Sequence, residues 1–129
     1  MKPIVIIGTG LSGYTVAREF RRLNKDTPLI LLTADQGGFY SKPMLSNAFA
    51  QNKTATQLVT QNAEQMATQL NAEIKSSAKV TGIDTDAKVI HVDADRIEYD
   101  KLVLAVGAQP IRLDLKGDAA HKVLSINNI

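Results

Sequence analysis

The feature that most limits what this chain can fold into stands at its amino end. There "IVIIGTGLSGYTVAREFRRL" runs an apolar, β-branched segment straight into three closely spaced glycines and then into a helical pattern. Ile4 to Ile7 leave no polar face, which marks a strand covered on both sides within a parallel sheet. Beyond the glycines, Val16, Ala17, Phe20 and Leu23 recur at helical spacing. Arg18, Arg21, Arg22 and Lys25 are predicted on the opposite, solvated face, and Pro28 follows the helix end. A second buried strand at Leu29 to Thr33 completes a βαβ unit, whose crossover is right-handed in nearly all folds.

Gly8, Thr9, Gly10, Leu11, Ser12 and Gly13 fill a GxGxxG spacing at the pivot between strand and helix. In such a turn the first glycine permits the bend, the second lets backbone approach a pyrophosphate, and the third allows helix and strand to pack closely. Amides near Leu11 and Ser12, at a helix start, are placed to face phosphate oxygens with the help of the helix dipole. Asp35 lies just past the second strand, about 20 residues beyond the turn, where a carboxylate accepts from both ribose hydroxyls of an adenosine and repels a 2′-phosphate. Thr33 and Ala34, at the tip of the same strand, are expected to border the adenosine through backbone.

After the irregular stretch "ADQGGFYSKP", "MLSNAFAQ" reads as a short helix begun at a proline boundary. Thr54 with Gln57 and Asn62 with Gln65 have capping-box spacing and predict a further helical pair. From Ala72 the period changes to two: "AEIKS", "KVTGID", "KVIHVD" and "RIEYD" are predicted strands of a meander, with "TDA" and "DAD" as tight turns. "KLVLAVGAQP" then reads as a return to the central sheet. The expected architecture is α/β: a Rossmann-like parallel sheet with a βαβ dinucleotide-binding unit, a helical pair and an inserted antiparallel β-meander.

A length of 129 residues with 44% apolar and 22% charged content suits one compact domain. No apolar run approaches the roughly 18 to 20 residues of a membrane span, and the first residues form a strand and not a leader, so the expected location is the cytoplasm. The absence of cysteine excludes disulfides, thiolate metal sites and a dithiol relay within this sequence. A net charge of +2 with few aromatic residues falls short of a nucleic-acid binder's footprint. His91 and His121 have no ligand-spaced neighbours, so no metal is expected.

Three segments in order, "IVIIGTGLSGYTVAREFR", "TADQGGFYSKPMLS" and "YDKLVLAVGAQP", resemble the FAD-binding region of the pyridine nucleotide-disulfide oxidoreductase superfamily. The likeness runs through essentially the whole chain, and "FYSKPMLS" is most similar to the rubredoxin–NAD reductase branch. The resemblance implies FAD pyrophosphate at Gly10 to Gly13 and its adenosine ribose at Asp35. It further implies Lys42 against the FAD phosphates, Pro43 beside the isoalloxazine, backbone of Val80 at the adenine, and Ala105, Val106 and Gly107 closing over the cofactor. Lys42 stands where many relatives carry arginine, and Asn47 where a lysine near flavin N5 is frequent.

Relatives that reduce disulfides carry a cysteine pair on the helix after the first βαβ unit, where this chain has Ser46 and Asn47. The resemblance therefore implies electron transfer from NADH through FAD directly to an external acceptor, rubredoxin or a similar small iron electron-transfer protein. It implies as well that residues 1–129 are the amino-terminal FAD-binding portion of a longer reductase, without its NAD-binding and carboxy-terminal domains. Such a portion is expected to be inactive alone, and its self-association through exposed apolar surface stays open. A ferredoxin or monodehydroascorbate reductase-type flavoprotein and a non-catalytic nucleotide-binding module are the alternatives.

Overall fold

The computed structural model describes residues 1–127 and 129. Strand β1 (Ile4–Ile7) leads into helix α1 (Leu11–Leu23) and strand β2 (Leu29–Leu32). A 3-10 turn over Lys42–Asn47 and two short helices, α2 (Ala55–Leu58) and α3 (Ala63–Leu70), precede strand β3 (Glu73–Lys75). Strands β4 (Val80–Asp84), β5 (Val89–Val92), β6 (Asp95–Glu98) and β7 (Lys101–Leu104) follow. The order β3-β2-β1-β7 makes a four-stranded sheet, parallel at every pairing, and β4-β5-β6 make a separate antiparallel sheet.

The unbroken apolar run of β1 has its explanation in two cores. Ile4 and Ile6 share one face of the parallel sheet with Leu29 and Leu31, packed against Tyr14 and Ala17 of α1 and Met66 and Leu70 of α3. Val5 and Ile7 share the other face with Leu32, packed against Ala78, Ile90, Val92 and Tyr99 from the meander side. Side chains alternate across a strand, so burial on both faces requires apolar residues at every position. All four residues of β1 are buried.

The capping signals hold in detail. Asn62 Oδ1 accepts from the Gln65 amide at 2.9 Å while Gln65 Oε1 accepts from the Asn62 amide at 2.9 Å. Gln57 Oε1 accepts from the Thr54 amide at 2.8 Å. In the "TDA" turn, Asp84 Oδ1 accepts from the amides of Asp86 and Ala87, an Asx turn that joins β4 to β5.

Some expectations need correction. "AEIKS" does not belong to the meander: β3 pairs in parallel with β2, Leu31 opposite Ile74. Three residues of alternation cannot specify a partner strand, whereas the helical crossover that precedes β3 carries the chain back to start a parallel strand. The apolar face of α1 is also displaced from the expected one. Gly13, Tyr14 and Ala17 are buried, whereas Val16 is 38% and Leu23 78% exposed.

Arg21 is not on a solvated face. Its Nε donates to the Leu70 carbonyl at 2.6 Å, and its terminal nitrogens donate to the carbonyls of Asn71, Asn24 and Thr27. The last carbonyls of a helix have no intrahelical donor. One guanidinium therefore satisfies the end of α3, with Asn71 in the left-handed region at φ 45°, and ties it to the loop after α1. Arg22, by contrast, pairs among the described residues only with Glu19, on the exposed side.

Arg21→Met, which keeps the stem but no donors, is expected to lower stability by about 2 kcal/mol in urea denaturation. Arg22→Met should change it by less than about 0.5 kcal/mol, since exposed ion pairs contribute little.

Candidate functional site

The parallel register sets the site. Ile7 of β1 stands level with Leu32 of β2 and Leu104 of β7, so three strands end on one rung. Gly8, Thr33 and Ala105 follow on the next. The Gly8 amide donates to the Leu32 carbonyl and the Ala105 amide to the Ile7 carbonyl, both at 2.8 Å, which holds the three exits together. In open α/β sheets ligands bind at the carboxyl ends of the strands.

The three glycines of the turn meet three different surroundings. Gly8 has φ 115°, and a Cβ built there would stand 2.0 Å from the Ala105 carbonyl oxygen. A Cβ on Gly13 would stand 2.0 Å from the Gly8 carbonyl oxygen. These two positions are closed by backbone. A Cβ on Gly10 would meet nothing within 4 Å, although Gly10 lies in the same turn with an ordinary extended backbone. Packing of this protein gives no reason for a glycine there; room for a ligand against the backbone does.

Helix α1 begins at that open point. Gly10 is its N-cap, no side chain caps it, and no acidic residue lies in its first turn. The first intrahelical bond runs from the Tyr14 amide to the Gly10 carbonyl at 3.1 Å. The amides of Leu11 and Ser12, on exposed residues, thus stand before the first bonded turn with the positive end of the helix dipole behind them. Anions are favoured at such a point.

At the end of β2, the buried Thr33 hydroxyl donates to Asp35 Oδ1 at 2.7 Å and the Gly37 amide donates to the same oxygen at 2.7 Å. Among the described residues Asp35 Oδ2 has no hydrogen-bond donor, and Ala34 and Asp35 are exposed. The Ser77 amide donates to the Asp35 carbonyl and the Ala78 amide to the Thr33 carbonyl, each at 2.8 Å. These bonds lay the approach to β4 beside the strand tip, two residues before Val80. Val80 packs its side chain on the second core, and its strand is an edge strand of the antiparallel sheet.

The residues singled out in the sequence therefore fall into two adjoining groups. Gly8 to Gly13 meet Ala105, with the exposed Val106 next to it, and Gly107 at φ 68° lies beside Lys42, whose Nζ is 3.8 Å from where a Gly107 Cβ would be. Thr33, Ala34 and Asp35 lie by the approach to Val80. Pro43 is exposed at the start of the 3-10 turn, with no described contact to the other members.

Sequence reasoning passed over Tyr14. It is fully buried, its hydroxyl donates to the Gly37 carbonyl, and its ring stands edge-on to Phe39 at 5.8 Å. Arg18 lies over the other ring at 4.4 Å, a cation–π contact in place of the predicted solvated position. Burial, with a smaller contribution from the Asp35 charge, pushes the Tyr14 phenol up to about 12. The available signal was spacing: Tyr14 falls on the helix face of Gly13 and Ala17.

A family model described as pyridine nucleotide-disulphide oxidoreductase matches residues 2–129. The chain belongs to this family. Across its whole length it is 46% identical to a rubredoxin-NAD(+) reductase of Alcanivorax borkumensis and 43% identical to one of Acinetobacter baylyi. It covers 34% of each, so the chain spans about a third of the length of these relatives. The crystal structure of a covalent putidaredoxin reductase–putidaredoxin complex superposes with a TM-score of 0.78 at 29% identity, over 94% of this chain and 29% of that one.

Gly13→Ala is expected to destabilise the protein by about 2 kcal/mol or more, because rigid backbone cannot yield to the new methyl. Gly10→Ala should leave thermal stability nearly unchanged. A second outcome concerns pH. The unfolded phenol releases its proton near pH 10 and the folded Tyr14 near 12, so between these values the unfolded chain binds fewer protons and stability falls as pH rises. Tyr14→Phe should make that decline shallower in denaturation profiles taken from pH 9 to 12.

Proposed function

We propose that residues 1–129 are the amino-terminal FAD-binding part of an NADH-dependent flavoprotein reductase that delivers electrons to rubredoxin or a similar small iron protein. The observation that carries the reading is the space over Gly10, open between two glycines that backbone closes and set at an uncapped helix start. The identity to rubredoxin-NAD(+) reductases over the full chain supports the choice of acceptor.

On this reading Gly10, Leu11 and Ser12 offer backbone to the diphosphate, with Gly8, Thr9 and Gly13 shaping the turn. Asp35 accepts from the ribose hydroxyls through Oδ2, the oxygen without a described donor. Thr33, Ala34 and Val80 border the adenosine. Lys42 neutralises phosphate charge, Ala105, Val106 and Gly107 close over the cofactor, and Pro43 lies towards the isoalloxazine. When bound, FAD supplies the chemistry of accepting a hydride and releasing single electrons. The chain's own work is to hold and orient it; the sequence has no cysteine to serve as an intermediate carrier.

Resemblance to a reductase solved with putidaredoxin favours one second reading, in which a ferredoxin-type protein is the acceptor. Stopped-flow reduction by NADH with the complete protein separates the two: transfer to rubredoxin supports the first, and transfer only to a ferredoxin replaces it. For the cofactor, equilibrium dialysis of the full chain with FAD is expected to show at least tenfold weaker binding in Gly10→Ala and about tenfold in Asp35→Ala. Equal affinity in both variants and the parent would sink the flavin reading. The isolated chain is expected not to oxidise NADH.

A further inference from the structure

Tyr14 contributes to both halves of the site at once. Its amide closes the first turn of α1 on Gly10, beside the open phosphate position. Its phenol reaches a loop residue 23 positions later in the chain, donating to the Gly37 carbonyl. The Gly37 amide in turn donates to Asp35 Oδ1, and the Thr33 hydroxyl donates to that same oxygen. Gly37 is thereby held on both sides, its amide by the carboxylate and its carbonyl from helix α1.

We propose that Tyr14 is a positioning residue that fixes the rotation of the Asp35 carboxylate and so sets the site's preference for a ribose carrying both hydroxyls. The inference rests on reading the site as a cradle for an adenosine diphosphate group. Two donors hold Oδ1 and leave Oδ2 without a donor among the described residues, as the acceptor for the ribose. A fixed acceptor gains from each hydroxyl of a diol, whereas a rotating one must lose its freedom on binding and gains less.

The Gly37 peptide needs this restraint. Gly37 sits at φ 74°, with no side chain of its own to wedge it, and a Cβ there would lie 3.2 Å from Ala63 Cβ and 3.4 Å from Ile74 Cγ2. A larger residue there would be strained by this φ and tightly packed, and the phenol supplies the hold instead. Phe39 fixes the ring from its edge, with Arg18 over Phe39 behind it. The phenol stays protonated, hence a donor, throughout the physiological range.

The test is calorimetric titration of the full chain with ADP, 2′-deoxy-ADP and inorganic pyrophosphate, in the parent, Tyr14→Phe and Asp35→Ala. The parent is expected to prefer ADP over 2′-deoxy-ADP by about tenfold, and Tyr14→Phe by no more than about threefold, with pyrophosphate affinity unchanged. Amide exchange at Gly37 should also quicken in Tyr14→Phe. A Tyr14→Phe protein that keeps the parent's preference overturns the role of Tyr14 and leaves the site standing. Should Asp35→Ala bind ADP as the parent does, the reading beneath the proposal fails as well. If Tyr14→Phe does not fold, Thr33→Val tests the same restraint on Oδ1 and must lower the preference; an undiminished preference there overturns the proposal.

Discussion

Contact of backbone on backbone governs this molecule. Helix α1 lies so close to the turn before it that a methyl on Gly13 would overlap the Gly8 carbonyl, and Gly8 in turn is pressed on Ala105. The glycine turn, the helix start and the distant Ala105 segment converge at van der Waals distance with no side chains between them. That closeness fixes where α1 starts, and a helix start fixed against a sheet is a fixed set of amides. What the helix start offers an anion follows from the approach, because those donors belong to the backbone and have no rotamers to lose on binding.

Such an approach is affordable only on a sheet held from both sides. On one face Tyr14, Ala17, Met66 and Leu70 cover Ile4, Ile6 and Leu31; on the other Ile90, Val92 and Tyr99 cover Val5, Ile7 and Leu32. The meander is thus the second cover of the parallel sheet, and the bonds of Ser77 and Ala78, on the approach to it, wall the Asp35 side of the candidate site. Arg21 plays a like part at the opposite end of α1, where it joins the helix to the end of α3. The helix is anchored at both termini, at one by glycine contacts and at the other by a guanidinium.

What the sequence disclosed and what it withheld divide along the range of the interactions. The capping boxes and the Asx turn are specified by residues within a few positions of one another, the βαβ unit by one short crossover between neighbouring strands, and each of them forms. The partner of Glu73–Lys75 is decided by a crossover of some forty residues, and no local period records it. The turning of α1 about its axis escaped for another reason. Val16 and Leu23 are apolar but exposed, while the packed face runs through Gly13 and Ala17, whose merit is small size, and through Tyr14, whose polar tip finds the Gly37 carbonyl. Counting apolar residues misses a face built on closeness. Arginines mislead in the same way: Arg18 and Arg21 read as solvated charges, yet one lies on an aromatic ring and the other fills a helix end.

The site's polarity decides how a dinucleotide can lie in it. At one side stand the positive end of the α1 dipole and the Lys42 ammonium near Gly107; at the other stands the Asp35 carboxylate with one oxygen free. A diphosphate carries its charge in the middle and a neutral diol towards its adenosine end, so only one direction puts anion to cation and hydroxyl to carboxylate. The reverse direction, or a phosphate on the ribose 2′ oxygen, sets like charges side by side with one of them partly held from water, where repulsion is less screened. On the proposed dinucleotide reading, charge placement orients the adenosine towards β2 and β4 and sends the rest of the molecule past Gly10 towards Lys42 and Pro43. This is the side on which the chain leaves a loop and an exposed 3-10 turn instead of a packed core.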